Sequence, residues 1–345
     1  MGENDMFKRL ISALIAGAAA ISCAFTCHAE TQMEVVKKEL AVPQTIVFLG
    51  DSIAAGYGLK GFTGTGSNPA ECYGAIIGEQ YKKELEGTCE AIQKNGAVSG
   101  DTSDDFIKRL ESGELDKYLF GSNAVVISIG GNDIMGPALD FLSQDLGLKS
   151  QEDIKNFDTT QLAKPSVLSK INDQLQRIGE NLTNFKINVP KILSTIRAKT
   201  DAVIVFQTVY NPLDSSKSIE MLSNIIGEKI TELNNIITSN ATNKDGSMNY
   251  LVCDVASAFA GKSKEYTNID QYDIHPNAEG HKVIAKLVDE QVRSKKYSFE
   301  QLEEVDKSKS ENKMSNTRIY LTIGLFFGGF ITLFVIVWVK FKRSQ

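Results

Sequence analysis

The chain has 345 residues, with 42% hydrophobic and 23% charged side chains and a formal net charge of −6. These are ordinary globular values, and they exclude disordered, collagen-like and disulfide-scaffold classes. The acidic balance excludes an electrostatic nucleic-acid binder, which needs a basic face.

Lys8 and Arg9 precede a largely apolar run from Leu10 to Phe25, and Cys27-His28-Ala29 follows. A positive start, a short apolar stretch and a small-x-small site predict a secretory signal over residues 1–29. An uncleaved N-terminal anchor is the plain alternative. A lipoprotein site at Cys23 is disfavoured because Ala20 stands where leucine is usual. Glu30 to Glu39 reads as a polar lead-in.

From about residue 43 to 293, strand-like and helix-like stretches alternate. Thr45 to Leu49 is a buried-strand run, Tyr73 to Leu85 has helical spacing, and Ala91 to Ala97 is a second strand. Thr102 to Leu110 reads as a helix opened by a capping-box variant, Thr102 with Asp105. Ala124 to Ile129 is the clearest strand, and Ala202 to Gln207 is the fourth. Ser218 to Ser239 is helical, Asn249 to Val255 is a last strand, and a helix follows from Asn277 to Val292. Continuous apolar strands alternating with helices predict a parallel sheet covered on both faces, a three-layer α/β/α sandwich. Pro137 to Lys199 holds no convincing strand and reads as a helical insertion after the third strand, its longest helix from Val167 to Leu193. Its apolar residues suit a rim or lid over a site, and equally a packing layer.

Residues 294–317 are Lys/Glu/Ser-rich without apolar periodicity and read as a charged stalk. Ile319 to Val339 is 21 residues without a charge. At 1.5 Å per residue it spans about 31 Å, enough to cross a hydrocarbon core. Tyr320 and Trp338 lie near its ends, and Lys340, Lys342 and Arg343 follow. The pattern predicts a membrane helix over 318–340 and a cytoplasmic tail over 341–345, so that residues 30–293 form an outward-facing domain on a single-pass type I anchor. The mature chain keeps Cys72, Cys89 and Cys253. An odd number cannot all pair internally, a Cys72–Cys89 bridge is open, and no cysteine spacing suggests a metal site.

The chemistry-bearing residues fall at strand ends, where open α/β sheets bind ligands. The first strand ends in Gly50-Asp51-Ser52, which places a nucleophile there or simply caps a helix. The second is followed by Ser99-Gly100-Asp101, where Gly100 has a backbone N–H to offer. The third ends in Gly130-Gly131-Asn132-Asp133, where two glycines permit a close turn and Asn132 carries an amide donor. Outside the signal only two histidines exist, His275 and His281, both within Asp273-Ile274-His275-Pro276-Asn277-Ala278-Glu279-Gly280-His281. If an imidazole activates Ser52, it must be one of them. His275 lies in the loop before the last helix, and His281 lies inside that helix.

Those four blocks, in order over about 250 residues, resemble the SGNH (GDSL-type) hydrolase superfamily. The resemblance implies a flavodoxin-like α/β fold and carboxylic ester hydrolysis, with Ser52 as nucleophile and His275 as base. It also implies an oxyanion hole from Ser52, Gly100 and Asn132, and no metal or organic cofactor. One position departs from the pattern. The family's acid lies three residues before the histidine, where this chain has Tyr272. Asp273 is the choice for the acid, with Asp270 or a Ser–His dyad oriented by a carbonyl as alternatives. The implied substrates are lipid acyl esters or O-acetylated glycans. An acyltransferase using the same intermediate, or a surface binding module on a degenerate hydrolase fold, are the rival readings.

Overall fold

The computed structural model describes residues 31–215 and 219–306. The predicted signal, membrane helix and tail lie outside these residues. Among the described residues no helix is long and apolar enough to cross a membrane.

The chain begins with β1 (Thr31–Leu40) and enters the domain through β2 (Thr45–Gly50), which runs into the single-turn α1 (Ser52–Ala55). There follow α2 (Tyr73–Glu84), β3 (Ile92–Asn95), α3 (Ser103–Glu111), α4 (Asp116–Leu119) and β4 (Ala124–Ser128). Next come α5 (Gly131–Asp140), a π-helical turn (Phe141–Asp145), α6 (Gln151–Lys155), a 3-10 turn (Thr159–Ala163) and the long α7 (Pro165–Arg197). The last part comprises β5 (Val203–Gln207), α8 (Glu220–Ser239), β6 (Leu251–Cys253), α9 (Val255–Phe259), α10 (Ser263–Tyr266), α11 (Ala278–Arg293) and β7 (Tyr297–Asp306).

Five strands form a wholly parallel sheet in the order β3-β2-β4-β5-β6. Side chains alternate across it, as the pleat requires. Val47, Leu49, Val125 and Ile127 face a core with α3, α4, α5, α7 and α8. Ile46, Phe48, Ala124 and Val126 face the opposite core, with α1, α2, α9 and α11. This is the three-layer arrangement, and the strand order reverses between β2 and β4. Open sheets bind ligands at such a switch point, beyond the carboxyl ends of the strands.

The insertion belongs to the first of these layers. In α7 the buried residues Ile178, Leu182, Phe185, Val189, Ile192 and Ile196 recur every three or four positions, with Ile171 two turns earlier, one apolar stripe turned to the core. Most of the insertion is therefore packing. Pro165 starts α7 where its missing N–H costs nothing. Pro137 inside α5 cannot donate to the Asp133 carbonyl, and Asn181 Nδ2 of α7 donates to that oxygen instead at 2.7 Å.

One expectation changes. Within the stretches read as a polar lead-in and a charged stalk, Thr31–Leu40 and Tyr297–Asp306 form β1 and β7, which pair as a two-stranded sheet. Backbone pairing needs no apolar period, so charged strands such as Glu-Val-Val-Lys-Lys-Glu hide from a hydrophobicity reading. Within the domain proper, Leu40 and Tyr297 are buried in its core. The bridge the sequence left open is absent, since Cys72 and Cys89 are both free: Cys72 precedes α2 and Cys89 lies beyond its end, with 12 helical residues between them. Short α9 and α10 follow β6, and Asp254 caps α9 by accepting from Ser257 N.

Candidate active site

Gly50 ends β2 at φ +119°, and a Cβ there would lie 1.8 Å from the Ser128 carbonyl oxygen of β4. Only glycine fits. The next residue, Asp51, is buried; its Oδ1 accepts from Ile53 N and from Ser128 Oγ, each at 3.1 Å. It thereby caps α1 and sets Ser52 at the first position of that helix. Burial pushes the Asp51 carboxyl up to about 7, against the pull of those two hydrogen bonds.

Gly130, at φ +105°, turns β4 into α5, and a Cβ there would meet Phe185 of α7 at 2.7 Å. Asn132 thus falls in the first turn of α5, where its Nδ2 donates to the Asp101 carbonyl at 2.9 Å. Asp101 in turn receives Arg109 Nη1 at 2.7 Å, and Arg109 Nη2 donates to the Gly96 carbonyl at 2.9 Å. These bonds fasten the loop after β3 to the start of α5. Asp133 points inward and accepts from Ser103 N at 3.0 Å and Ser103 Oγ at 2.6 Å. Burial pushes it up to about 6. The Thr102–Asp105 capping box is present at the start of α3.

The histidine arrives on the loop before α11. His275 Nε2 lies 2.9 Å from Ser52 Oγ, and its Nδ1 lies 2.5 Å from Asp273 Oδ1. The same Asp273 oxygen accepts from His275 N at 3.1 Å. Burial alone would raise Asp273, but the hydrogen bonds and charge of His275 outweigh it and hold the carboxyl below its ordinary value. Among the described residues, Tyr272 is the non-glycine residue with positive φ, at 61°. That left-handed turn swings Asp273 under the imidazole. Its hydroxyl donates to the Leu148 carbonyl of the insertion. Tyr210 Oη holds the Ile274 carbonyl at 2.7 Å, and Asn268 N donates to the His275 carbonyl at 2.9 Å. The loop is therefore fixed from several sides.

Ser52, Asn132 and His275 line one cleft, walled also by Gly131, Met135, Val209, Tyr210 and Pro212. Asp273 stands behind His275. Gly100, at φ +91°, is exposed beside Asp101 and does not line the cleft itself. Asp270 sits in the 3-10 turn Ile269–Gln271, and a carboxylate, not a carbonyl, faces Nδ1. His281 is fully buried and stacked on Tyr73 with ring centroids 5.9 Å apart; its Nδ1 accepts from Tyr73 N, and burial pushes it down to about 3. It is a neutral core residue.

Two side chains at the site carry no mark in the sequence pattern. The Tyr57 ring lies 4.4 Å from the His275 ring, brought there by the loop after α1. Tyr210 follows β5, and its position was within reach of the strand-end rule that found Asn132.

The sequence profile of the GDSL-like lipase/acylhydrolase family matches residues 48–283. The chain is 26% identical over 247 residues to the uncharacterized protein YpmR of Bacillus subtilis, covering 70% of this chain and 79% of that one. Among solved structures it is similar to an extracellular lipase from Streptomyces rimosus, at 17% identity and a TM-score of 0.50, covering 72% of this chain and 99% of the lipase. A lipase from a goat rumen metagenome is 18% identical with a TM-score of 0.49, covering 71% and 95% of the two chains.

Proposed function

The chain belongs to the GDSL-like lipase/acylhydrolase family and is a carboxylic ester hydrolase; we propose that it works through an acyl-enzyme on Ser52 and acts outside the cell on a membrane anchor. The observation that carries the mechanism is the unbroken chain Asp273 Oδ1–His275 Nδ1, His275 Nε2–Ser52 Oγ at 2.5 and 2.9 Å. Ser52 Oγ attacks the ester carbonyl while His275 Nε2 takes its proton, and Asp273 stabilises the imidazolium that forms. The carbonyl oxygen becomes an oxyanion. The donors assigned to it are the Ser52 N–H, unpartnered by position at a helix start, and the second Nδ2 hydrogen of Asn132; the family resemblance adds the Gly100 N–H, although Gly100 is not among the residues lining the cleft. His275 then returns the proton to the leaving alkoxide, and water, activated by the same base, releases the acid.

The family's usual acid position is filled here by Tyr272, yet a carboxylate meets His275 all the same. That geometry favours catalysis over a degenerate binding module. Mass spectrometry of enzyme quenched during turnover tests the mechanism: the acyl mass on the Ser52 peptide is expected, and an unmodified peptide with turnover intact would refute it. Competing alcohol acceptors in the same reaction separate a hydrolase, which yields free acid, from an acyltransferase.

The topology rests on the sequence pattern of residues 1–29 and 318–345. Protease added to intact cells expressing the full chain is expected to remove the catalytic domain and leave the tail.

A further inference from the structure

Tyr57 packs on the imidazole of His275, with ring centroids 4.4 Å apart and planes tilted by 43°. We propose that Tyr57 is a positioning residue for the base: its aromatic face supports the imidazolium that His275 becomes when it takes the Ser52 proton. This inference rests on the acyl-enzyme reading and adds a residue to it.

The contact is built by the turn that ends α1. Gly56 N, at φ +74°, donates to the Ile53 carbonyl at 3.3 Å, and Tyr57 N donates to the Ser52 carbonyl at 3.0 Å. These are the paired bonds of a Schellman turn, which needs a left-handed residue at Gly56. The backbone of Tyr57 is thereby tied to the nucleophile's own residue. Gly58 turns again at φ +82°, and a Cβ there would lie 3.0 Å from Asp273 Oδ2. Phe62 meets the Tyr57 ring edge-on, with centroids 5.2 Å apart, and itself packs against the core beneath α1 and α2. One short segment thus meets Ser52, His275 and Asp273 in turn.

Tyr57 is 40% exposed and does not line the Ser52 cleft. Its reach to the reaction runs through His275, and what changes there during the reaction is charge. The Ser52 Oγ–H bond breaks, the proton joins His275 Nε2, and the ring becomes a cation, met by Asp273 at Nδ1. An aromatic face carries negative potential and attracts a cation within about 6 Å of its centroid. Tyr57 lies inside that range. A neutral imidazole gains little from the same face. The contact is therefore stronger in the transition state than in the ground state, which is the condition for raising kcat. Cation–aromatic contacts at partly exposed positions correspond to about three- to tenfold in rate. Asp273 remains the larger partner of the imidazolium, and Tyr57 adds to it.

The test replaces Tyr57 in the full chain and reads kcat and KM separately on p-nitrophenyl butyrate. The imidazolium forms in acylation and deacylation alike, so kcat responds whichever step limits. Tyr57→Phe keeps the ring and is expected to stay within about twofold of the native kcat. Tyr57→Leu keeps bulk without an aromatic face and is expected to lose about three- to tenfold in kcat with KM unchanged. Phenylalanine introduced at position 57 with one, two and three ring fluorines weakens the negative potential of the face at nearly constant shape. The kcat is expected to fall with each fluorine toward the Tyr57→Leu value, whereas packing alone gives no such dependence. Should Tyr57→Leu fail to fold, the fluorinated series decides by itself. Equal kcat across that series, or a loss carried by KM, would overturn the role and leave the acyl-enzyme reading standing. A native chain that turns over no ester and leaves Ser52 unacylated would refute both.

Discussion

Asp273 and His275 are two residues apart, and one carboxylate oxygen of the first meets both the backbone N (3.1 Å) and the ring Nδ1 (2.5 Å) of the second. The bond to the backbone closes an Asx-type turn that fixes the carboxylate before the ring is considered. The left-handed Tyr272 immediately upstream supplies the direction of the turn. A one-residue displacement of the acid is thus absorbed locally by backbone conformation, with the imidazole still oriented toward Ser52.

If this carboxylate orients the base, Asp273→Asn lowers kcat by about 10⁴-fold, since an amide neither fixes the tautomer nor stabilises the imidazolium. Asp270→Asn stays within about twofold of the native rate. Steady-state kinetics on both variants decides; equal losses in the two would contradict the assignment.

Asn132→Ala removes one oxyanion donor and is expected to lower kcat by about 10²–10³-fold with little change in KM. It also frees the Asp101 carbonyl, so Arg109→Met serves beside it. That variant loosens Asp101 while keeping the Asn132 amide, and it is expected to show a smaller loss. A rise in KM alone would place Asn132 in substrate binding instead.

Asp51 links the site to stability. Its carboxyl has an ordinary value of 3.8 and is pushed up to about 7 by burial in the folded chain. A raised acid value means that the folded state holds the proton longer. The contribution is therefore fully present below 3.8 and is lost as pH rises through about 7. Asp51→Asn has no such dependence. Urea unfolding at pH 5 and pH 8 is expected to show the native protein losing roughly 2–3 kcal/mol relative to the variant, at 1.36 kcal/mol per pH unit crossed. A constant difference would contradict it.

Gly50→Ala forces a Cβ to 1.8 Å from the Ser128 oxygen at a backbone angle closed to L-residues. The β2–β4 pair must part just beneath Ser52. Loss of at least about 4 kcal/mol is expected, read by urea unfolding or as failure to accumulate soluble protein.

Much of this was legible from the sequence. Strands buried on both faces, such as Ala124–Ser128, show as unbroken apolar runs. The Thr102–Asp105 capping box announced α3. Ser52, Asn132 and His275 were visible because each follows or precedes a recognisable element. What stayed hidden depends on tertiary context. Asp273 was already the choice for the acid; the φ of Tyr272 that precedes the contact with His275 was not readable from composition. Tyr57 reaches His275 only through the path of its loop. The β1–β7 pair is held by backbone bonds between charged strands, and periodicity has nothing to detect there.

The most direct measurement is fluorophosphonate labelling of the full chain beside Ser52→Ala and His275→Ala, with p-nitrophenyl ester turnover on the same samples. Label on the native protein only, with turnover lost in both variants, is the predicted result. A folded native protein that takes no label, or a Ser52→Ala variant that still turns over ester, would contradict the account.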